Sequence, residues 1–123
     1  MPPTQSATRT VLIVDDNARF RARARQWLEA DGFVVVAEAG DGGSALEAAR
    51  THRPDVVLLD VRLPDMCGPD VAERLSVEPE PPAIVLTSTY DAVDLGDRIQ
   101  NCGARGFVPK ADLSSQTLAA ALQ

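Results

Sequence analysis

The sequence is poor in cysteine, and its two cysteines do not form a recognisable disulfide or metal motif. Cys67 and Cys102 are far apart, without the CxxC spacing or the neighbouring histidines of a zinc site. We therefore expect free thiols, which are typical of a reducing compartment. Long apolar runs are also missing: no segment approaches the ~20 residues that a membrane span requires, and residues 1–10 lack a secretory apolar core. These absences favour a cytoplasmic protein without a membrane anchor.

Basic residues are outnumbered, with 12 Lys and Arg against 18 Asp and Glu and a net charge of -6. This balance disfavours binding of nucleic acid through the segment itself, because phosphate-binding surfaces need clustered positive charge. Eleven of the basic residues are arginines, and Lys110 is the single lysine. A genome-wide preference for arginine over lysine would explain the eleven arginines, but it does not explain why a lysine stands at position 110. The only histidine, His52, is expected at the end of a helix, where we assign it no chemistry.

The pattern of apolar residues predicts one α/β domain. A chain of 123 residues can bury a single core; residues 1–9 are expected to be a disordered lead-in, and residues 10–123 to form the domain. Apolar runs typical of strands alternate with segments of helical periodicity. The predicted strands are 10–14, 33–37, 55–60, 83–86 and 106–108, and the predicted helices are 17–30, 44–52, 69–77, an Asp91-capped segment and 114–122. Five βα units predict a doubly wound parallel sheet with right-handed crossovers.

Local signals predict where individual helices begin and how firm they are. Asn17 is expected to cap the first helix, and Ser44 and Glu47 have the spacing of a capping box for the second. Gly96 falls inside the fourth helix and should weaken it by about 1 kcal/mol relative to alanine. We therefore expect the fourth helix to be the most adaptable one.

Polar residues follow the apolar runs at the ends where parallel strands open onto a ligand crevice. They are Asp15, Asp16, Asp60, Thr87 or Ser88, and Lys110. Grouped carboxylates repel, so at least one should have a raised pKa unless a cation neutralises them. Oxygen ligands of this kind suit Mg²⁺, and a lysine with a hydroxyl completes a site for a phosphoryl group in transfer. A central carboxylate, such as Asp60, can itself be the nucleophile.

Over residues 10–122 the chain resembles the receiver domains of bacterial two-component response regulators. The motifs that carry the resemblance are Val-Asp-Asp at 14–16, Leu-Asp-Val-Arg-Leu-Pro-Asp-Met-Cys-Gly at 59–68, and Gly-Ala-Arg-Gly-Phe-Val-Pro-Lys at 103–110. The resemblance implies the flavodoxin-like (βα)5 fold with strand order 2-1-3-4-5. The Lys-Ala-Asp-Leu sequence at 110–113 is similar to receivers of the LuxR-type branch.

The resemblance also implies roles for individual residues. Asp60 would be the phosphoacceptor, with a sensor histidine kinase or phosphotransfer protein as donor. Magnesium would be bound directly by Asp16, mainly through water by Asp15, and by Asp60 and the Arg62 carbonyl. Lys110 would pair with the phosphoryl oxygens, and Phe107 would be the aromatic that turns inward on activation. Such a domain is a switch and not an enzyme; it can form phosphorylation-dependent homodimers, and it reaches DNA only through an output domain absent from this chain.

Two positions depart from the usual pattern of this family. The switch hydroxyl usually precedes the lysine by 22 positions, which selects Ser88, since 110 − 22 = 88; the end of the strand selects Thr87 instead. We favour Ser88, because Thr87 would continue the alternation of the strand. Ala111 replaces a common proline, so the Lys110–Ala111 bond is either trans or a strained cis bond.

Two alternative functions and one kinetic property can be weighed from the sequence. An Mg-dependent phosphatase-like enzyme with an aspartyl-phosphate intermediate would want Asp-x-Asp after the first strand, where Asp15 and Asp16 are adjacent. A flavodoxin-like cofactor binder would need a phosphate-binding loop at the same position, where the two carboxylates would repel a phosphate. The bulky Arg62 and Tyr90 flank the path of an attacking water, which predicts slow self-dephosphorylation.

Overall fold

The computed structural model describes residues 9–89 and 97–122, which form a five-stranded parallel sheet in the order β2-β1-β3-β4-β5. In chain order the elements are β1 (Thr10–Val14), α1 (Ala18–Ala30), β2 (Val34–Ala39), α2 (Gly42–His52), β3 (Val56–Asp60), α3 (Gly68–Ser76), β4 (Ala83–Ser88), α4 (Asp97–Asn101), β5 (Gly106–Pro109) and α5 (Ser115–Ala121). The predicted α/β class, parallel sheet and strand order are confirmed. None of the described helices is long and apolar enough to cross a membrane.

Each face of the sheet carries its own apolar cluster, which explains why the central strands have few polar side chains. Leu12, Val57 and Leu86 belong to the cluster on the side of α2 and α3. Val11, Leu58 and their in-phase neighbours belong to the cluster on the side of α1 and α5. Every residue of β3 is buried, as expected of a central strand in a parallel sheet covered on both faces.

Helices α1 and α5 both begin at a residue whose side chain caps the helix, and the cap of α1 is the predicted one. The Asn17 side chain accepts hydrogen bonds from the backbone N–H groups of Arg19 and Phe20, and so caps α1. Gly32 follows this helix with φ of 92°, a left-handed conformation that glycine adopts without strain. Ser114 caps α5 in a capping box with Thr117.

Three predicted boundaries were wrong by two residues. Strand β4 ends at Ser88 and not at residue 86, because its pairing with β5 continues to Ser88 and Pro109. Strand β2 is Val34–Ala39, two residues beyond the predicted end, because its pairing with β1 shifts register between Val11 and Leu12 and continues to Ala39. Helix α2 begins at Gly42 and not at Ser44. Its cap is Asp41, whose side chain accepts a hydrogen bond of 2.7 Å from the Ser44 backbone N–H, in place of the predicted Ser44 capping box.

Candidate functional site

Strand alternation brings four polar side chains together at the carboxyl edge of the sheet. Asp15, Asp60, Thr87 and Lys110 each stand two residues beyond a strand residue of the apolar cluster on the α1 and α5 side. Because side chains two positions apart share a face, these four continue the same face past the core. Asp60 is paired with Thr87 in the β3–β4 register. Parallel pairing therefore places the predicted groups at one edge.

Asp15 and Asp60 are held in the same way by the turns that follow them. Asp15 is fully buried, and its Oδ1 accepts a hydrogen bond of 2.8 Å from the Asn17 backbone N–H. Asp60 is 6% exposed, and its Oδ1 accepts a bond of 3.2 Å from the Arg62 backbone N–H. The second oxygen of each carboxylate faces Lys110, whose Nζ lies 2.6 Å from Asp15 Oδ2 and 3.6 Å from Asp60 Oδ2. The turns thus aim both carboxylates at one cation.

Three carboxylates are close enough to share a metal ion. One oxygen from each of Asp15, Asp16 and Asp60 lies within 4.8 Å of the others. Asp16 is exposed, whereas the other two are buried, so a bound ion would keep access to water on the Asp16 side. An all-oxygen ligand set with an open side fits a small hard cation that retains part of its hydration shell.

The pKa of Asp60 is raised by burial and by its acidic neighbours. Burial and the neighbouring negative charge of Asp15 raise the pKa of Asp60 to about 6, although the charge of Lys110 and the Arg62 N–H oppose them. The expected raised pKa of a grouped carboxylate is therefore confirmed. A divalent cation on this cluster would relieve the same repulsion.

Lys110 has a third neighbour that the sequence did not indicate. Its Nζ lies over the ring of Phe20 in α1, 4.4 Å from the ring centroid. This distance is within the range of a cation–π interaction. The Lys110 side chain is 17% exposed, so the ammonium is largely enclosed by these groups.

The loop between β3 and α3 is fastened to α2 by Asp65. Its two carboxylate oxygens accept hydrogen bonds of 2.7 and 2.9 Å from the backbone N–H groups of Gly42 and Gly43. These two hydrogen bonds lower the pKa of Asp65. The loop then returns tightly: the Gly68 N–H donates to the Val61 carbonyl at 2.6 Å. The contact of Asp65 with α2 was not predicted, because a residue that caps a helix from a distant segment leaves no pattern in the local sequence.

The two candidate switch hydroxyls are both buried and point to opposite faces by alternation. Thr87 is fully buried, and its Oγ1 has no hydrogen-bond partner among the described residues. Ser88 is 5% exposed and is paired in register with Pro109 of β5. The choice of Ser88 over Thr87 stays a prediction. The Lys110–Ala111 bond is trans, since the described residues contain no cis peptide bond.

The remaining predicted residues fall into two groups. Phe107 in β5 is partly buried against the cluster on the α2 and α3 side, and Arg62 is exposed immediately beyond the site. Asp91 and Gly96, which belong to the predicted fourth helix, and Tyr90 lie outside the described residues.

Arg21 connects helix α1 to the backbone of the site. One guanidinium nitrogen donates to the Asp15 carbonyl at 2.6 Å, and Nε donates to Glu38 at 3.0 Å. Glu38 also receives a hydrogen bond of 2.8 Å from Arg25. Burial would raise the pKa of Glu38, but hydrogen bonds from Arg25 and Arg21 outweigh it and lower that pKa. Arg21 and Arg25 therefore have a structural role next to the site.

Comparisons with known proteins agree with this geometry. The response regulator receiver domain family model matches residues 11–123. The transcriptional regulatory protein PdtaR of Mycobacterium tuberculosis is 37% identical over 102 residues, covering 83% of this chain and 49% of PdtaR. This chain therefore spans about half the length of that curated relative.

Two solved structures are similar over nearly the whole chain. The signal receiver domain of NarL from Mycobacterium tuberculosis has a TM-score of 0.82 at 33% identity, covering 93% of this chain and 96% of the other. A two-component response regulator of the LuxR family from Aurantimonas sp. SI85-9A1 has a TM-score of 0.84 at 29% identity, covering 94% of this chain and 85% of the other.

Proposed function

This chain belongs to the family of response regulator receiver domains, and on this premise we propose that Asp60 is the phosphoacceptor of a signalling switch. The observation that carries the assignment is the position of Asp60 beside Asp15, Asp16 and Lys110. Its carboxylate is buried, and its pKa is raised to about 6, which leaves it ionised and under-compensated at neutral pH. Such a carboxylate can act as the nucleophile, and a bound cation would stabilise the negative charge of the phosphoryl group in transfer.

The acidic cluster is proposed to hold Mg²⁺. Asp16 would be the direct ligand, Asp15 would act mainly through water, and Asp60 with the Arg62 carbonyl would complete the protein ligands. The support from this chain is the donor set, three carboxylates within 4.8 Å of one another, two of them buried. When bound, the metal ion supplies positive charge to the phosphoryl oxygens.

The phosphoryl group is proposed to come from a phosphohistidine of a sensor histidine kinase or a phosphotransfer protein. A carboxylate oxygen of Asp60 attacks phosphorus, the O–P bond forms, the P–N bond breaks, and the imidazole leaves and takes up a proton. Lys110 is placed to pair with the new negative charge, since its Nζ is already 3.6 Å from Asp60 Oδ2. The domain turns over no external substrate in this reaction.

Output is proposed to pass through β4 and β5. Phosphorylation adds roughly 1.5 to 2 negative charges at Asp60, to which a hydroxyl at the end of β4 can turn. The candidates are Ser88, favoured by its spacing from Lys110, and Thr87, which lies on the Asp60 face. Phe107 can then move into the space that is freed, which alters the surface of the fourth helix and β5. In a longer parent chain this change would control transcription, directly or through a homodimer. PdtaR, about twice as long as the matched segment, is named as a transcriptional regulatory protein.

The test is phosphorylation by a small-molecule phosphodonor in the presence of Mg²⁺, followed by intact mass spectrometry. The parent should gain one phosphoryl group, and Asp60→Asn should gain none. Asp55→Asn is the matched control, because Asp55 lies next to the opposite end of the same strand and binds Thr10. An equal mass gain in Asp60→Asn and the parent would refute the assignment.

A further inference from the structure

The ring of Phe20 lies against the ammonium of Lys110, 4.4 Å from ring centroid to Nζ. We propose that Phe20 is a positioning residue that holds the Lys110 ammonium above the acidic site, where it meets the phosphoryl group. This inference rests on the proposed function of Asp60. It adds a residue of helix α1 that lies outside all of the motifs of the phosphoacceptor site.

The position of the ammonium is defined from three directions. Asp15 Oδ2 lies at 2.6 Å, Asp60 Oδ2 lies at 3.6 Å, and the ring of Phe20 faces the same nitrogen. An ammonium is a compact charge on a flexible four-carbon stem, so two contacts leave it free to swing about the line that joins them. The third contact removes this freedom.

The ring matters most when the carboxylates are occupied. A divalent cation or a phosphoryl group at the acidic cluster would share the negative charge that attracts Lys110 in the free site. The attraction of a ring face comes from its quadrupole and is independent of that charge. A phenyl ring also offers no oxygen to a hard cation, so it does not compete for the metal. Phe20 is thus a partner that the ammonium keeps throughout the reaction.

Phe20 is itself fixed by the turn that builds the site. Asn17 donates its backbone N–H to Asp15 and accepts the N–H of Phe20 at 3.2 Å with its side chain. The ring packs against the apolar cluster on the α1 and α5 side. A closed circuit of contacts therefore runs from Asp15 through Asn17 and Phe20 to Lys110 and back to Asp15. Movement of the ring would require this turn to open.

The single lysine of the chain makes the contact directly measurable. Protein labelled only at the lysine side chain should give a single set of side-chain signals, in which methylene protons are shifted upfield by the ring and show nuclear Overhauser contacts to Phe20. The upfield shift should disappear in Phe20→Leu and persist in Phe20→Tyr, which keeps the ring face. Absence of both the shift and the contacts in the folded parent would overturn the proposal, whether or not any variant folds.

The functional part of the test is the rate of phosphorylation by a small phosphodonor with saturating Mg²⁺. We expect Phe20→Leu to be about five-fold slower, equivalent to about 1 kcal/mol, a typical cation–π contribution at a partly exposed site. Phe20→Tyr should restore most of the rate. A surface groove between α1 and the segment after β5 is lined by Phe20, Trp27 and Lys110. Trp27→Leu is the matched control, since Trp27 lies in this groove two turns further along α1.

The outcomes separate this inference from the assignment of Asp60. Loss of the ring shift in Phe20→Leu without a slower reaction would overturn the positioning role and leave Asp60 as phosphoacceptor. A parent that takes up no phosphoryl group would refute the proposed function, while the lysine signal would still report whether the contact exists. Equal slowing in Phe20→Leu and Trp27→Leu would mean that the groove, and not the ring at Phe20, sets the rate.

Discussion

The surroundings of Asp60 disfavour its charged form, so ionisation of this residue lowers the stability of the folded domain. Its folded pKa of about 6 lies above the ordinary value of 3.8, chiefly because of burial and then of Asp15. Between these two values the folded protein holds a proton that the unfolded chain has lost. Stability therefore falls as pH rises from about 4 to about 6, and it stays lower above that window.

We expect Asp60→Asn to be more stable than the parent at pH 8 without metal, by at most about 3 kcal/mol. The variant keeps the shape of the side chain and removes the charge. The advantage should shrink to a small fraction at pH 4, where the carboxyl is protonated in the folded parent and partly protonated in the unfolded chain. Urea unfolding in a chelating buffer at both pH values measures it. An equal difference at pH 4 and pH 8 would show that charge is not the cause.

The two hydroxyls at the end of β4 can be separated by paired substitutions. Thr87 Oγ1 is buried without a partner among the described residues, so Thr87→Val removes an unsatisfied group and should leave stability unchanged or higher. Ser88→Ala should leave phosphorylation intact and abolish the phosphorylation-dependent shift of the Phe107 ring signals. Nuclear magnetic resonance of the two phosphorylated variants decides between them. Loss of the Phe107 response in Thr87→Val alone would make Thr87 the switch residue.

Among the secondary-structure elements, the loop from β3 to α3 depends on close backbone packing. A Cβ at position 68 would lie 2.5 Å from the Asp60 carbonyl oxygen and 2.9 Å from Val61 Cα. Backbone atoms cannot yield as a side chain does, so Gly68→Ala must displace the loop next to Asp60.

We therefore expect Gly68→Ala to lower both the unfolding midpoint and the rate of phosphorylation. Gly43→Ala is the matched control, since a Cβ there would meet no atom closer than 3.5 Å. Thermal unfolding and phosphodonor kinetics measure the two effects. A Gly68→Ala variant that unfolds and reacts like the parent and Gly43→Ala would show that the loop tolerates the displacement.

Asp65 links the same loop to the start of α2. Asp65→Ala removes acceptors for the N–H groups of Gly42 and Gly43, so amide exchange should become faster in the loop and in the first turn of α2. Asp41→Ala, which removes the local cap of this helix, should speed exchange in the helix alone. Hydrogen exchange followed by mass spectrometry distinguishes these patterns. Unchanged loop exchange in Asp65→Ala would exclude the link.

The same elements show what periodicity can and cannot predict. Apolar runs and caps located β1, β3, α1 and α5 closely, because those signals are local to each segment. The start of α2 was wrong, since Asp41 and Asp65 compete with the apparent capping box at Ser44, and Asp65 acts from another part of the chain. The end of β2 was wrong because pairing with β1 extends it through a register shift. These errors arose where contacts between segments distant in the sequence set the boundary of an element.

For the whole molecule, the acidic edge of the sheet was predictable and its fine arrangement was not. Parallel topology alone brings Asp15, Asp60 and Lys110 together, and the structure confirms that they meet. The contributions of Phe20 and Arg21 were missed, because an aromatic or arginine on a helix face is usually core or solvated surface. Their roles follow from the packing of α1 against the sheet.

Metal binding should stabilise the entire domain. A ligand that binds the folded state alone raises the free energy of unfolding with its concentration, so Mg²⁺ should raise the thermal midpoint of the parent. Asp16→Asn should abolish most of this rise, and Asp15→Asn less of it, because a direct ligand contributes more than one acting through water. Equal losses would reverse or merge the two proposed roles.

The central claim is that the phosphoryl group resides on Asp60. After reaction with a small phosphodonor and Mg²⁺, borohydride reduction would convert a phosphorylated aspartate to homoserine, which peptide mass spectrometry locates. The account predicts homoserine at position 60 and unmodified aspartate at Asp15, Asp16 and Asp55. Homoserine at another position, or a phosphorylated protein without homoserine at position 60, would contradict it.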